Sequence, residues 1–196
     1  MTAPEKAIVP GGIGYLDRKD LSWWGMVLFI CTEAALFAYL LASYFYVGGL
    51  SATWPPLIPS ISITAPNTAI LILSSGSAIL ADRSIKRGNQ TGLRLWLTVT
   101  VVLGLLFLGL QLHEYTTLEF HQQTDAYSSF FYLITGLHGA HVALGALMLI
   151  YVLVRAFAGH FDSVKRSAVS NAILYWHFVD VVWLVVFSTL YLVPRV

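Results

Sequence analysis

SWWGMVLFICTEAALFAYLLASYFYV, residues 22–47, runs almost unbroken in apolar side chains, with one carboxylate, Glu33, and no Lys or Arg. Crossing the hydrocarbon layer takes about 20 mostly apolar residues, and a helix is the element that pairs every backbone group internally there. This stretch is therefore predicted to be a membrane-spanning helix. Four further stretches have the same character, at about 67–84, 93–113, 127–155 and 171–193. All seven prolines fall outside these five ranges, as uninterrupted helices require. The predicted fold is all-α: one domain over residues 22–196, an integral membrane bundle of five transmembrane helices preceded by a short polar tail over residues 1–21.

Composition agrees with this reading. Hydrophobic residues make up 57% of the chain and charged ones 11%, against roughly 25% charged in an ordinary soluble domain. A net charge of +1 argues against nucleic acid as a partner. Cys31 has no mate, so an intrachain disulfide is ruled out. The tail lacks the apolar core and small-residue cleavage site of a signal peptide, and the first span is expected to act as an uncleaved anchor.

The positive-inside rule sets an orientation. Lys6, Arg18 and Lys19 precede the first span; Arg83, Lys86, Arg87 and Arg94 surround the second turn; Arg155, Lys165 and Arg166 surround the fourth. Of the 11 basic residues only Arg195 lies on the other side. The N-terminus is therefore expected in the cytoplasm and the C-terminus outside. Trp23, Trp24 and Trp96, together with Arg83, Arg87 and Arg94, are expected at the cytoplasmic interface as a surface for anionic phospholipid headgroups. Trp176 is expected near that interface too, with Trp183 deeper on the same stripe.

Ionisable side chains at mid-membrane must face protein or water, because lipid solvates them poorly. Glu33 and Asp180 are the two acids near span centres. His138 and His141 lie three apart on the fourth span, and His177 and Asp180 repeat that spacing on the fifth, so each pair shares a helix face. Two readings stand: a proton-linked site, or structural acids hydrogen-bonded within the bundle, with Glu33 and His141 as one such pairing. A carboxylate-bridged di-iron centre would require Glu-x-x-His motifs, of which the chain has none, and the histidines lack the spacing for a haem pair. No metal is expected on this chain.

Small residues show where helices approach closely in lipid. Asn67, Ser74, Ser77 and Ala81 share a face of the second span. Ala34, Ala35, Ala38 and Ala42 supply one on the first. Gly136, Ala140 and Ala143 lie nearly opposite His138, His141 and Gly145 on the fourth, so both faces of that span are expected to meet protein.

These residues resemble one family, subunit III of the haem-copper cytochrome c oxidases. Tyr175-Trp-His-Phe-Val-Asp-Val-Val-Trp-Leu184 is similar to its last-helix signature and Thr135-Gly-Leu-His-Gly-Ala-His141 to its penultimate-helix one. Supporting matches are Thr32-Glu33, Trp54-Pro55-Pro56, Asn67-Thr68, Ser74-Ser75-Gly76 and Glu114-Tyr115. The long form of the family has seven helices; this chain resembles the short five-helix bacterial form.

The resemblance implies a non-redox accessory subunit of a proton-pumping terminal oxidase in the bacterial plasma membrane. Such a subunit packs on subunit I, with subunit II and other subunits in the same complex. It binds structural phospholipid and supports proton uptake and turnover, and haem and copper belong to partner subunits. Glu33, His138, His141, His177 and Asp180 carry over as buried hydrogen-bonding or proton-buffering residues, and none is catalytic. Glu33, where quinol oxidase relatives tend to carry Asp, favours cytochrome c as the complex's donor. The alternatives are a quinol oxidase subunit III, a nitric oxide reductase accessory protein of the same fold, or a small proton-coupled transporter using Glu33 and Asp180. The odd span number and the lack of an internal repeat argue against the transporter.

Overall fold

A computed structural model describes residues 18–51, 53–56, 58–118, 120–162 and 166–195. Five long helices follow one another: α1 (Arg18–Gly49), α2 (Ile61–Lys86), α3 (Gln90–Thr117), α4 (Ala126–Phe157) and α5 (Ser167–Phe187). The last continues through a π-helical turn at Ser188–Leu192 and a 3₁₀ turn at Val193–Arg195. All five are long and apolar enough to cross a membrane.

The helices run past the predicted spans at nearly every end. α1 begins at Arg18, so residues 18–21 belong to the helix and not to the tail; the rest of that tail, with Lys6, lies outside the described residues, as does Lys165. The physical reason is that apolarity delimits the hydrocarbon layer, whereas a helix continues through the headgroup zone wherever a cap allows. The caps are visible. Ser60 Oγ accepts from the Ser62 amide at 3.3 Å, Asn89 Oδ1 from the Gly92 amide at 2.9 Å, and Asp125 Oδ1 from the Ser128 amide at 2.7 Å. Gly88 and Gly159, each at φ +73°, take the left-handed conformation that turns the chain after α2 and α4.

One expectation about proline is corrected. Pro66 lies inside α2, in its second turn. It removes only the bond to the Ser62 carbonyl, and both residues are exposed near the helix end, where water or headgroups can serve that carbonyl.

α2 and α3 form an antiparallel hairpin, α4 packs on α3 and α5, and α5 also packs on α2. α1 is peripheral: it touches α4 and α5, and among its described side chains it buries only Phe37 and Tyr44. Side-chain bonds confirm which ends lie together. Arg94 Nε donates to the Ala156 carbonyl (3.1 Å), Gln90 Nε2 to the Phe161 carbonyl (2.8 Å), and Asn171 Nδ2 to the Ser22 carbonyl (3.2 Å). The starts of α1, α3 and α5 and the end of α4 therefore share one end of the bundle.

The small-residue face of α2 is used as expected. Asn67, Ser74, Ser77 and Ala81 are buried, and three of them bond across helices. Asn67 Nδ2 donates to the Phe107 carbonyl at 3.2 Å, Ser77 and Thr100 hydroxyls meet at 2.7 Å, and Ser74 Oγ receives the Trp176 indole N–H at 3.0 Å. Ala34, Ala35, Ala38 and Ala42 are exposed, as are Gly136 and Ala140, so these faces are not covered by this chain's own helices.

Candidate functional site

Buried and partly buried polar groups form three clusters in the bundle. Near the middle, α1 and α4 place Glu33 Oε2 2.8 Å from His141 Nε2. His141 Nδ1 sits 2.7 Å from the Leu137 carbonyl. A carbonyl only accepts, so Nδ1 donates to it, and Nε2 is left facing the Glu33 carboxyl group, which gives that acid a partner where the span has no Lys or Arg. A double-mutant cycle on Glu33→Ala and His141→Ala is expected to give a coupling of about 1 kcal/mol, within the range for polar pairs in membrane bundles. Zero coupling would remove the pairing.

His138, three residues earlier, plays no part in that pair. It is fully buried, and neither ring nitrogen has a hydrogen-bond partner. Its ring lies 4.8 Å from Trp183 at 30°, with Phe107 and Phe37 presented edge-on at 6.0 and 6.4 Å. It is packed as an aromatic residue, and the expected hydrogen-bonding role is corrected accordingly.

On the α2–α5 side His177 Nδ1 lies 2.7 Å from Ser75 Oγ. Asp180 is almost fully buried, with Ser75 and His177 facing its carboxyl group and His177 Nδ1 3.9 Å from Oδ2, beyond full hydrogen-bond reach. The i, i+3 spacing brings the two residues to one face without joining them.

The third cluster centres on Glu114, which lies one residue past the predicted end of the third span, in the last turn of α3, and is only 2% exposed. Its Oε1 accepts from the Thr64 hydroxyl at 2.5 Å and the Tyr191 hydroxyl at 2.9 Å, and its Oε2 from Gln111 Nε2 at 3.2 Å. The available signal was spacing: Phe107, Gln111 and Glu114 stand at i, i+4 and i+7, one helix face carried past the apolar run. The π-helical turn is the other half of the arrangement, since with it Thr189, Leu190 and Tyr191 are all buried.

Tryptophans fill the remaining core. Trp176 is not an interface anchor. α5 starts at Ser167, four residues before its predicted start, so Trp176 lies nine residues in, about 14 Å along the axis. Its ring rests on Gly104 of α3, where any Cβ would overlap it, and on Gly145 of α4, where a Cβ would stand 3.0 Å away. Trp183 donates its N–H to Thr68 Oγ1 at 2.9 Å.

The lipid-facing candidates divide. Trp23 and Trp24 are exposed, in edge contact at 4.9 Å, and Arg83 and Arg87 are exposed at the end of α2. Arg94 is committed to the end of α4, through the Ala156 carbonyl and the Phe157 ring 5.6 Å from its guanidinium. Trp96 is packed in part against the core.

Among the described residues, no group of three or more His, Cys, Asp or Glu side chains is placed to hold a metal ion. The fold and site define a multi-pass membrane protein whose centre is closed by its own rings and interhelical hydrogen bonds. The family described as cytochrome c oxidase subunit III matches residues 15–194. Cytochrome c oxidase subunit 3 of Thermostichus vulcanus is 36% identical over 182 residues, 91% of this chain and 90% of the relative. That of Petromyzon marinus is 37% identical over 177 residues, covering 86% and 68%. The probable cytochrome c oxidase subunit 3 of Mycobacterium bovis is 34% identical over 184 residues, 91% of each. The chain belongs to the cytochrome c oxidase subunit III family.

Proposed function

We propose that this chain is the accessory subunit III of a haem-copper terminal oxidase in a bacterial plasma membrane, packed on subunit I and carrying no redox centre itself. The observation that carries the reading is the family match, which spans all five helices. The chemistry of the buried groups supports it. Glu33 and His141 are paired with each other across α1 and α4, and His138 is enclosed by rings, so these histidines serve to hold the bundle together. Haem and copper belong to the partner subunits. The α2–α3 and α4–α5 ends, with Arg83 and Arg87, face the cytoplasm and meet anionic lipid headgroups alongside Trp23 and Trp24.

A tagged chain extracted from its native membrane in mild detergent is expected to bring haem absorption with it. After the subunits are separated, the chain alone is expected to show none. An eluate free of haem would overturn the reading, as would haem that stays with the isolated polypeptide.

A further inference from the structure

A groove of about 330 Å³ opens between α2 and α5 on the outer surface of the bundle. Its rim is apolar, formed by Ile72, Ile79, Val181 and Leu184, all exposed. Its floor is polar: Ser75, His177 and Asp180. Asp180 is 6% exposed, and neither carboxyl oxygen has a hydrogen-bond partner. Leaving such a group in lipid costs a few kcal/mol; Ser75 of α2 and His177 of α5 face the carboxyl group, and His177 Nδ1, at 3.9 Å, is beyond full hydrogen-bond reach.

Depth selects the occupant. Asp180 is thirteen residues from Ser167 and twelve from Leu192, the ends of its span (180 − 167 and 192 − 180). It therefore sits about 20 Å along the helix from either end. Phospholipid headgroups lie about 15 Å from the membrane centre, so a lipid in the groove would present only hydrocarbon to the carboxyl group. A side chain on a neighbouring membrane helix can bring a polar group to that depth. α2 also leaves room for such a helix: Gly76 follows Ile72 by one turn on the same face, and a Cβ built there meets nothing within 4 Å. Glycine at that position lets a helix backbone approach closely.

We propose that this groove receives a transmembrane helix of a partner subunit, and that a hydrogen-bonding side chain on that helix, a hydroxyl, amide or guanidinium, pairs with Asp180. The proposal rests on the accessory-subunit reading and adds the face through which the contact is made.

The test places a photoreactive amino acid at Ile72 or at Val181 in the full-length chain, with Val102 of α3 as the comparison position, and illuminates native membranes. The expected result is an adduct from positions 72 and 181 to a membrane peptide of a haem-complex subunit, at least tenfold above that from position 102. Gly76→Leu, at a position where a Cβ meets nothing of its own chain within 4 Å, is expected to cut the haem co-purified per chain at least tenfold, while Gly76→Ala keeps most of it. Adducts to lipid or small molecules only, in a chain that still co-purifies with haem, would overturn the groove assignment and leave the subunit reading standing. Undiminished haem with Gly76→Leu would do the same. No haem from the unaltered chain would bring down both.

Discussion

Trp176→Ala is expected to lower the stability of the folded chain by about 3 kcal/mol, the largest effect of any single truncation here. Trp176 joins four helices: it stands on α5, lies between Gly104 of α3 and Gly145 of α4, and donates to Ser74 of α2. Removing it leaves a hole that backbone glycines cannot fill, and large-to-small substitutions of this kind in cores cost about 3–5 kcal/mol. The lower end applies in a bilayer, because lost packing counts there while the transfer of apolar surface from water contributes little. Trp176→Phe keeps most of the ring and gives up the indole bond, so a loss of about 1 kcal/mol is expected. Reversible unfolding in bicelles measures both. Equal effects of Ala and Phe would mean that the hydrogen bond, and not the ring, holds the helices together.

Glu114→Leu is expected to cost about 3 kcal/mol through a different mechanism. Three donors, Thr64, Tyr191 and Gln111, converge on one carboxyl group. Deleting the acceptor takes a partner from each of them, and a buried donor left without one costs about 1–3 kcal/mol. Thr64 has a fallback in the Ser60 carbonyl at 3.4 Å, so the full sum is not reached. Glu114→Gln should be far milder. The new amide keeps one oxygen for Thr64 and Tyr191, and Gln111, whose own oxygen has no partner, can turn its amide to meet the new N–H₂. The same unfolding measurement, with protease sensitivity of the C-terminal turn as a second readout, distinguishes the two variants. Leu and Gln behaving alike would show that the cluster contributes nothing to holding α2, α3 and α5 together at that end.

Together the two variants probe opposite kinds of cohesion. Around Trp176 the helices approach because glycine allows a ring to lie on the backbone. Around Glu114 they meet because polar groups, poorly solvated by lipid, have only each other.

Much of this was legible in the sequence. Five apolar runs required five helices, since no other element satisfies its backbone groups in a bilayer. The pairing of Glu33 with His141 was legible as well, because a mid-membrane acid needs a partner and the i, i+3 histidines offered one. The small face of α2 announced its burial through Ser and Asn at helical spacing.

Other features required the packed bundle. An apolar run marks the width of the hydrocarbon layer but not the end of a helix, which is why Glu114 falls outside the predicted third span and Trp176 is predicted near the interface. Spacing places His138 and His141 on one face of α4, yet only the angle at which α1 and α5 cross that helix decides that His141 meets an acid and His138 meets rings. The periodic pattern likewise counts Ala34, Ala35 and Gly136 as close-packing residues without saying whether the neighbour belongs to this chain. Hydropathy and spacing are properties of one helix at a time, and they determined the number of spans and the polar residues at their centres. Which of those residues touch is a property of several helices at once, and tertiary structure alone decided it, because partner choice depends on crossing angles and axial offsets that no single helix encodes.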